Sequence, residues 1–429
     1  MSKSKKSRYG AQRLPAGNIR IKIRMYRVGF GDCFLVSFAY ADGKNRHILF
    51  DCGTSSEKKD HMLKIVKMIS GDCGGHLDGL VITHRHRDHL SAFGLKGVGD
   101  ILESLKPDIV VRPWTEHPNA AAQAKSAPSV FTPLALSQMK SLSAAQQFAE
   151  FLSKGMSAGL PGASKAMQQR IRAMADDNVK NKTAIDRLNR MAKATKGAYV
   201  YAGSPSGLEE MLPGVRVTVL GPPTLEQSKD IKSQTDWDPA EFWKLQKKMA
   251  ATMQNNAAPD KGRSSLFPKA ATVPVSDAPS HLKWVIDKLD KGHAQNIRRI
   301  VRALDNAMNN TSVILLLEIE DRVLLLPGDA QLENWQYALQ KTGIAEKLKN
   351  TGIYKVGHHG STNATPKSLW NLFANRSLQQ KPGRLISLLS TQRGEHNQVP
   401  RKSLVDALDA ETTLRSTEKS EELCQVIDF

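Results

Sequence analysis

From Ile19 to Val28 the chain alternates apolar and basic residues, with Ile19, Ile21, Ile23 and Met25 in register. A period of two marks a half-buried strand. Gly29-Phe30-Gly31-Asp32-Cys33 then predicts a tight turn, and Phe34 to Tyr40 a second strand. A third runs from His47 to Phe50 and stops at Asp51-Cys52-Gly53-Thr54. Residues 57–70 change period, with Met62, Ile65, Val66 and Ile69 at helical spacing. Short apolar runs at Leu80–Ile82, Ile109–Val111, Val215–Leu220, Val313–Leu317, Val323–Leu326, Ile353–Val356 and Leu385–Leu389 predict further strands. Glu318 to Asp321 predicts a hairpin turn, and residues 331–348 a helix. Strands mixed with helices in this way predict an α/β domain over residues 19–405.

Two stretches interrupt the pattern. Residues 119–210 are rich in Ala, Lys, Gln, Ser and Met, and predict helices over about 136–154 and 164–195. In the second, Met167, Ile171, Met174, Ile185, Leu188 and Met191 supply apolar positions, and Arg170, Arg172, Lys180, Lys182, Arg187, Arg190 and Lys193 a basic face. That face suits solvent, a lid or a nucleic-acid platform. The other interruption, residues 224–308, concentrates Trp237, Phe242 and Trp243, then a loop over Ser264–Pro279 and a helix over His281–Met308. Core anchoring is the simpler role for those aromatics, and stacking on bases the other. Residues 1–18 read as a disordered basic arm, and residues 406–429 as a C-terminal tail.

The chain of 429 residues is long enough for a sizeable core, and its 40% apolar content is ordinary. No apolar run approaches the roughly 18 residues of a membrane span, and no secretory signal follows the basic start. Cys33, Cys52, Cys73 and Cys424 lack a CxxC spacing and read as free thiols in a reducing cytoplasm. The net charge of +19 favours a polyanionic partner such as nucleic acid, although it is also compatible with plain solubility.

Candidate chemistry is concentrated in three places. His84-Arg85-His86-Arg87-Asp88-His89 follows the apolar run and Thr83, packing three histidines and an aspartate into six residues. A strand ending there would set these side chains on one tight loop. Neutral imidazoles and a carboxylate suit a borderline cation such as zinc, with manganese and iron as rivals. So dense a set serves no packing purpose and sits poorly in a core. Gly357-His358-His359-Gly360-Ser361 is a second strand end carrying paired histidines. Asp329, in Pro327-Gly328-Asp329-Ala330, is a carboxylate at a strand end whose two oxygens suit two cations.

The pattern His-x-His-x-Asp-His resembles the signature of the metallo-β-lactamase superfamily. Val28 to Val36 and His-His-Gly-Ser are similar to one branch of it, which contains the metallo-β-lactamase domain of the bacterial competence DNA-uptake channel. The resemblance implies an αββα sandwich with long, mainly helical insertions. It implies one or two divalent metals: His84 and His86 on one, Asp88 and His89 on a second, and Asp329 between them. His359 or His358 would supply the last ligand, with His359 preferred and the other touching substrate or bracing the site. Asp51 would orient a ligand histidine. Asp32 would point toward the site, and Asp32 or Asp88 would accept a proton. Ser361 would lie just behind the ligands.

The chain departs from this pattern twice. Where most members carry a further metal histidine, it has Asn309-Asn310-Thr311-Ser312, a loss the competence branch shares. Solvent or Asn310 would complete the first metal, or a single ion would be held. The histidine–proline pair expected after the last strand is Val399-Pro400, with His396 as a substitute. His117, at another strand end, is a further residue that could face the site.

Such a centre would lower the pKa of a coordinated water and make hydroxide available. Two cations suit in-line displacement at phosphorus, and the charge suits a polyanion, so the expected activity is that of a phosphodiesterase, a nuclease on DNA or RNA. Hydrolysis of a small-molecule or cell-wall phosphodiester, or another ester, is the alternative, because a fold does not fix a substrate. A metal-stabilised nucleic-acid-binding subunit without catalysis is the third reading. The branch resemblance also implies a protein partner in bacterial defence or DNA processing.

Overall fold

β1 (Arg20–Tyr26), β2 (Phe34–Ala39) and β3 (Asn45–Phe50) form an antiparallel meander. They open a computed structural model that describes residues 19–117, 181–224, 227–228, 308–361, 363–394 and 399–429. The period of two sorts the side chains. Ile21, Ile23, Val36 and Phe38 face one core, while Tyr26, Leu35 and Leu49 face another. After β3 the sheet turns parallel through β4 (Gly79–Val81), β5 (Ile109–Pro113) and β6 (Gly197–Val200).

The second sheet holds β7 (Val215–Gly221), β8 (Ile314–Ile319) and β9 (Arg322–Leu326), then β10 (Thr351–Lys355), β11 (Ile386–Leu389) and β12 (Thr413–Ser416). β7, β8 and β9 are antiparallel, whereas β9 to β12 are parallel. The last strand, β13 (Cys424–Asp428), returns to the first sheet, giving the orders β13-β1-β2-β3-β4-β5-β6 and β12-β11-β10-β9-β8-β7.

The inner faces bury Ile21, Val36, Phe50, Leu315, Leu326 and Ile353 against one another. Outside the first sheet lie α1 (Lys59–Asp72), α2 (Arg87–Gly94), α3 (Val98–Ser104) and α4 (Lys182–Ala194). Outside the second lie α5 (Leu332–Leu339), α6 (Ile344–Lys349), α7 (Lys367–Trp370) and α8 (Lys402–Glu411). The described residues therefore build an αββα sandwich. The carboxyl ends of β3, β4, β9, β10 and β11 gather at one edge, where parallel strands leave room for a site.

Four expectations are corrected. The helix over 331–348 is two, α5 and α6, because Gly343 turns the chain at φ 79°. Residues 182–210 belong to the sandwich rather than to an insertion: α4 packs on α2, and β6 extends the first sheet beside β5. Within α4 two of the four basic-face residues are paired, while Lys182 and Lys193 are exposed. Arg187 pairs with Asp100 at 2.6 Å and Glu103 at 3.2 Å, and Arg190 with Glu103 at 3.3 Å. Residues 406–429 are no tail, since β12 pairs with β11 and β13 with β1.

Residues 1–18, the helix over 136–154, most of that over 164–195, Trp237, Phe242, Trp243 and nearly all of 281–308 lie outside the described residues. Among the described residues no helix is long and apolar enough to cross a membrane. All four cysteines are free thiols.

Deleting residues 413–429 removes an edge strand from each sheet. A domain has only ~5–15 kcal/mol of net stability. The truncated chain is expected to lose cooperative unfolding altogether, as followed by tryptophan fluorescence in urea. A preserved transition would show these strands to be dispensable.

Candidate metal centre

Val81 pairs with Phe50 and Val111 before the chain leaves the sheet. Thr83 to His86 then lead into α2, with His86 at its N-cap and Asp88 and His89 in its first turn. The motif thus straddles a strand end and a helix start, which places its side chains on one side of a short loop. A carboxylate in that first turn is favoured by the helix dipole. Close approach of α2 to the first hairpin depends on glycine. A Cβ on Gly53 would lie 2.5 Å from backbone atoms of Asp88 and His89, and one on Gly31 would lie 2.7 Å from the Asp88 carbonyl.

Hydrogen bonds behind the rings set which nitrogen each histidine presents. Asp51 accepts from the Thr83 N–H and hydroxyl at 2.7 Å each, and from His89 Nδ1 at 2.8 Å. Asp51 is held at φ 53°, a strained conformation for this residue type. His89 Nε2 is left 3.0 Å from Asp329 Oδ2. The Thr83 proton goes to Asp51, so Thr83 Oγ1 accepts from His84 Nδ1 at 3.2 Å. His84 Nε2 then lies 3.0 Å from His86 Nδ1 and 4.0 Å from Asp329 Oδ2. His359 Nδ1 donates to the Ser390 carbonyl at 2.9 Å, which aims Nε2 at Asp88 (2.9 Å) and Asp329 Oδ2 (3.6 Å). Phe30 packs on the His359 ring with centroids 4.4 Å apart.

Asp329 is the common point. Its Oδ2 faces the three imidazoles, while Oδ1 accepts from Lys355 Nζ at 3.2 Å and the His358 N–H at 3.1 Å. Asp88, His89, Asp329 and His359 each bring a donor atom within 4.8 Å of the others. His84, His89, His359 and Asp329 are almost wholly buried, while Asp88 and His358 are partly exposed, so the cluster opens on their side.

Electrostatics agrees with the chemistry of the donors. Burial, with His89 and His86 beside it, holds the His84 imidazole well below its ordinary range, so its lone pair stays available. Burial opposes charge on His89, but Asp329, Asp88, Asp51 and Asp32 outweigh it and raise His89 well above its ordinary value. The same competition between burial and carboxylates raises His359. Burial would raise Asp329, yet His89, Lys355 and His359 hold it well below the carboxylate range. Imidazole nitrogens and ionised carboxylates converging on one buried point fit a divalent cation, whose charge would replace the protons on His89 and His359.

Other expected residues are placed elsewhere. His358, held at φ 44°, joins its Nδ1 to Ser361 Oγ at 3.0 Å and stands beside the cluster, so His359 is the ring that enters it. Ser361 touches His358 and Asn363, not the converging atoms. The Asn310 amide donates to Glu333 at 3.3 Å and accepts from Asn334 at 2.9 Å. Asp32 is 1% exposed and ion-paired to Lys355, which removes it as a proton acceptor facing substrate. His117 stacks on Tyr199 rather than joining the cluster. His396 lies outside the described residues.

Two features escaped the reading from sequence. Lys355 sits inside an apolar strand, and a charged residue there was the available signal. Arg85, between His84 and His86, is clasped by the Glu116 carboxylate at 3.4 Å and by Asn181, which donates to its carbonyl at 2.7 Å. Glu116 is itself held by the buried Arg112 at 3.0 Å.

The family model of the metallo-β-lactamase superfamily matches residues 26–144. That superfamily is generally hydrolytic and typically binds divalent metals. The match over those residues and the two-sheet architecture make the described chain similar to a metallo-β-lactamase α/β sandwich, with His/Asp clusters that could hold a metal ion. No curated protein matches the chain.

Asp51→Ala is expected to weaken metal binding by about 10–100-fold, because His89 loses the group that fixes its tautomer and orientation. Chelator competition measures it. Metal uptake at neutral pH is expected to release about one to two protons. The raised pKa values of His89 and His359 mean that affinity falls as pH falls. Calorimetry in buffers of different ionisation enthalpy counts the protons, and a count of zero would contradict the assignment.

Proposed function

We propose that the chain is a metal-dependent phosphodiesterase that cleaves nucleic acid. One observation carries the reading: Asp329 Oδ2 lies 3.0 Å from His89 Nε2, 3.6 Å from His359 Nε2 and 4.0 Å from His84 Nε2, with His86 Nδ1 3.0 Å beyond His84 and Asp88 2.9 Å from His359. These donors would suit one or two divalent cations, with zinc first and manganese second by donor type. Bound there, such cations polarise a phosphoryl oxygen and lower the pKa of water. His84, His86, Asp88, His89, Asp329 and His359 are the proposed ligands. Asp51, Thr83 and Ser390 keep the rings oriented. His358, partly exposed and braced by Ser361, is suited to contact the substrate.

The net charge of +19 supports a polyanionic substrate. So do the hairpin and the His-His-Gly-Ser element that resemble the competence branch. A phosphodiester of nucleic acid meets both the charge and the His/Asp donor set.

The test uses single- and double-stranded DNA, RNA and bis(p-nitrophenyl) phosphate, each with Zn²⁺, Mn²⁺ and Mg²⁺. Asp329→Ala is expected to lower the cleavage rate by about a thousandfold or more, since the carboxylate that faces His84, His89 and His359 is gone. Nucleic-acid affinity should largely survive and should weaken steeply with salt through counterion release. Full activity in Asp329→Ala would sink the mechanism. Cleavage of the small diester alone, with salt-independent binding, would point to a small-molecule substrate.

A further inference from the structure

Lys355 is the last residue of β10 and only 3% exposed. Its Nζ pairs with Asp32, lies 3.2 Å from Asp329 Oδ1 and donates to the Gly328 carbonyl at 3.0 Å. An ammonium has three N–H donors, and here each has an acceptor. The two carboxylates come from opposite sheets: Asp32 from the turn between β1 and β2, Asp329 from the end of β9. Lys355 therefore ties the sheets together at the edge where the candidate ligands meet. It also commits Asp329 Oδ1, so that Oδ2 is the oxygen turned to His84, His89 and His359.

Four carboxylates, Asp32, Asp51, Asp88 and Asp329, crowd this region, where His89 and His359 pair with Asp51, Asp88 and Asp329, and Lys355 is the one ammonium paired with these carboxylates among the described residues. Unpaired buried charges are expensive, and Asp32 has few other partners. We propose that Lys355 is a positioning residue acting as a resident cation: it neutralises Asp32 and Asp329 across the two sheets and presents Asp329 Oδ2 to incoming metal. The inference rests on the metal-centre reading, not on the identity of the substrate. A lysine that merely fills space would be replaceable by methionine with the same consequence in any metal state. A lysine that supplies charge becomes less necessary once divalent cations supply more of it.

The experiment is thermal unfolding of full-length protein, stripped by chelator, with and without saturating Zn²⁺ or Mn²⁺. In Lys355→Met the metal-free midpoint is expected to fall by about 10 °C, the consequence of stranding buried carboxylates. Added metal should recover most of the fall, so the metal-induced shift exceeds that of wild type. Asp32→Asn combined with Lys355→Met should recover part of the metal-free loss, because one stranded charge is removed. If Lys355→Met does not fold without metal, folding on metal addition, seen by circular dichroism, supports the proposal. An equal fall with and without metal, or no fall, overturns it. So does a variant that metal and the second substitution both fail to rescue. A wild-type midpoint indifferent to both ions would remove the metal reading as well. None of these measurements uses a substrate, so they stay separate from a failure to cleave nucleic acid.

Discussion

Gathering four carboxylates in one small volume, three of them almost wholly buried, is the constraint on which this edge of the sandwich depends. Each must have a partner, because a buried charge without one is costly enough to undo the fold. Asp51 has Thr83 and His89, Asp88 has His359, Asp32 has Lys355, and Asp329 has Lys355, His89 and a backbone N–H. These partners come from both sheets, so the architecture must bring five strand ends to one place. Gly31 and Gly53 let α2 come close enough to bring in Asp88 and His89. Asp51, His358 and His359 accept a left-handed backbone, at ~1–3 kcal/mol each, to turn their side chains or amides inward. That strain is small beside an unpaired buried charge, so the surrounding packing can sustain it.

Much of this was legible from residues close together in the chain. Ile19 to Met25 announced a strand by period, and Met62 to Ile69 a helix, because each pattern reports which face is buried. The six-residue motif exposed its chemistry because such a ligand density has no role in packing. What escaped were relations between distant residues. Nothing near Asn310 shows that Glu333 and Asn334 take up its amide. Lys355 reads as one basic residue among many until Asp32 and Asp329 are seen on either side of it. Thr413–Ser416 and Cys424–Asp428 are short and half polar, so their strand character comes from pairing at sheet edges rather than from their own pattern. Gly197–Val200 is equally plain in sequence and becomes a strand beside β5.

Arg85 has a place in the chain that gives it another significance. Glu116 lies just before the stretch 118–180, and Asn181 just after it, and both hold Arg85 between two candidate ligands. The two ends of that stretch are thus fastened to the same residue of the metal loop. Thermodynamic linkage then works in both directions. A ligand that shifted these two anchors, and through Arg85 the presentation of His84 and His86, would change metal affinity, and metal would change that ligand's affinity by the same factor. Between the anchors lie 64 residues of sequence, and it is Glu116 and Asn181 that hold Arg85.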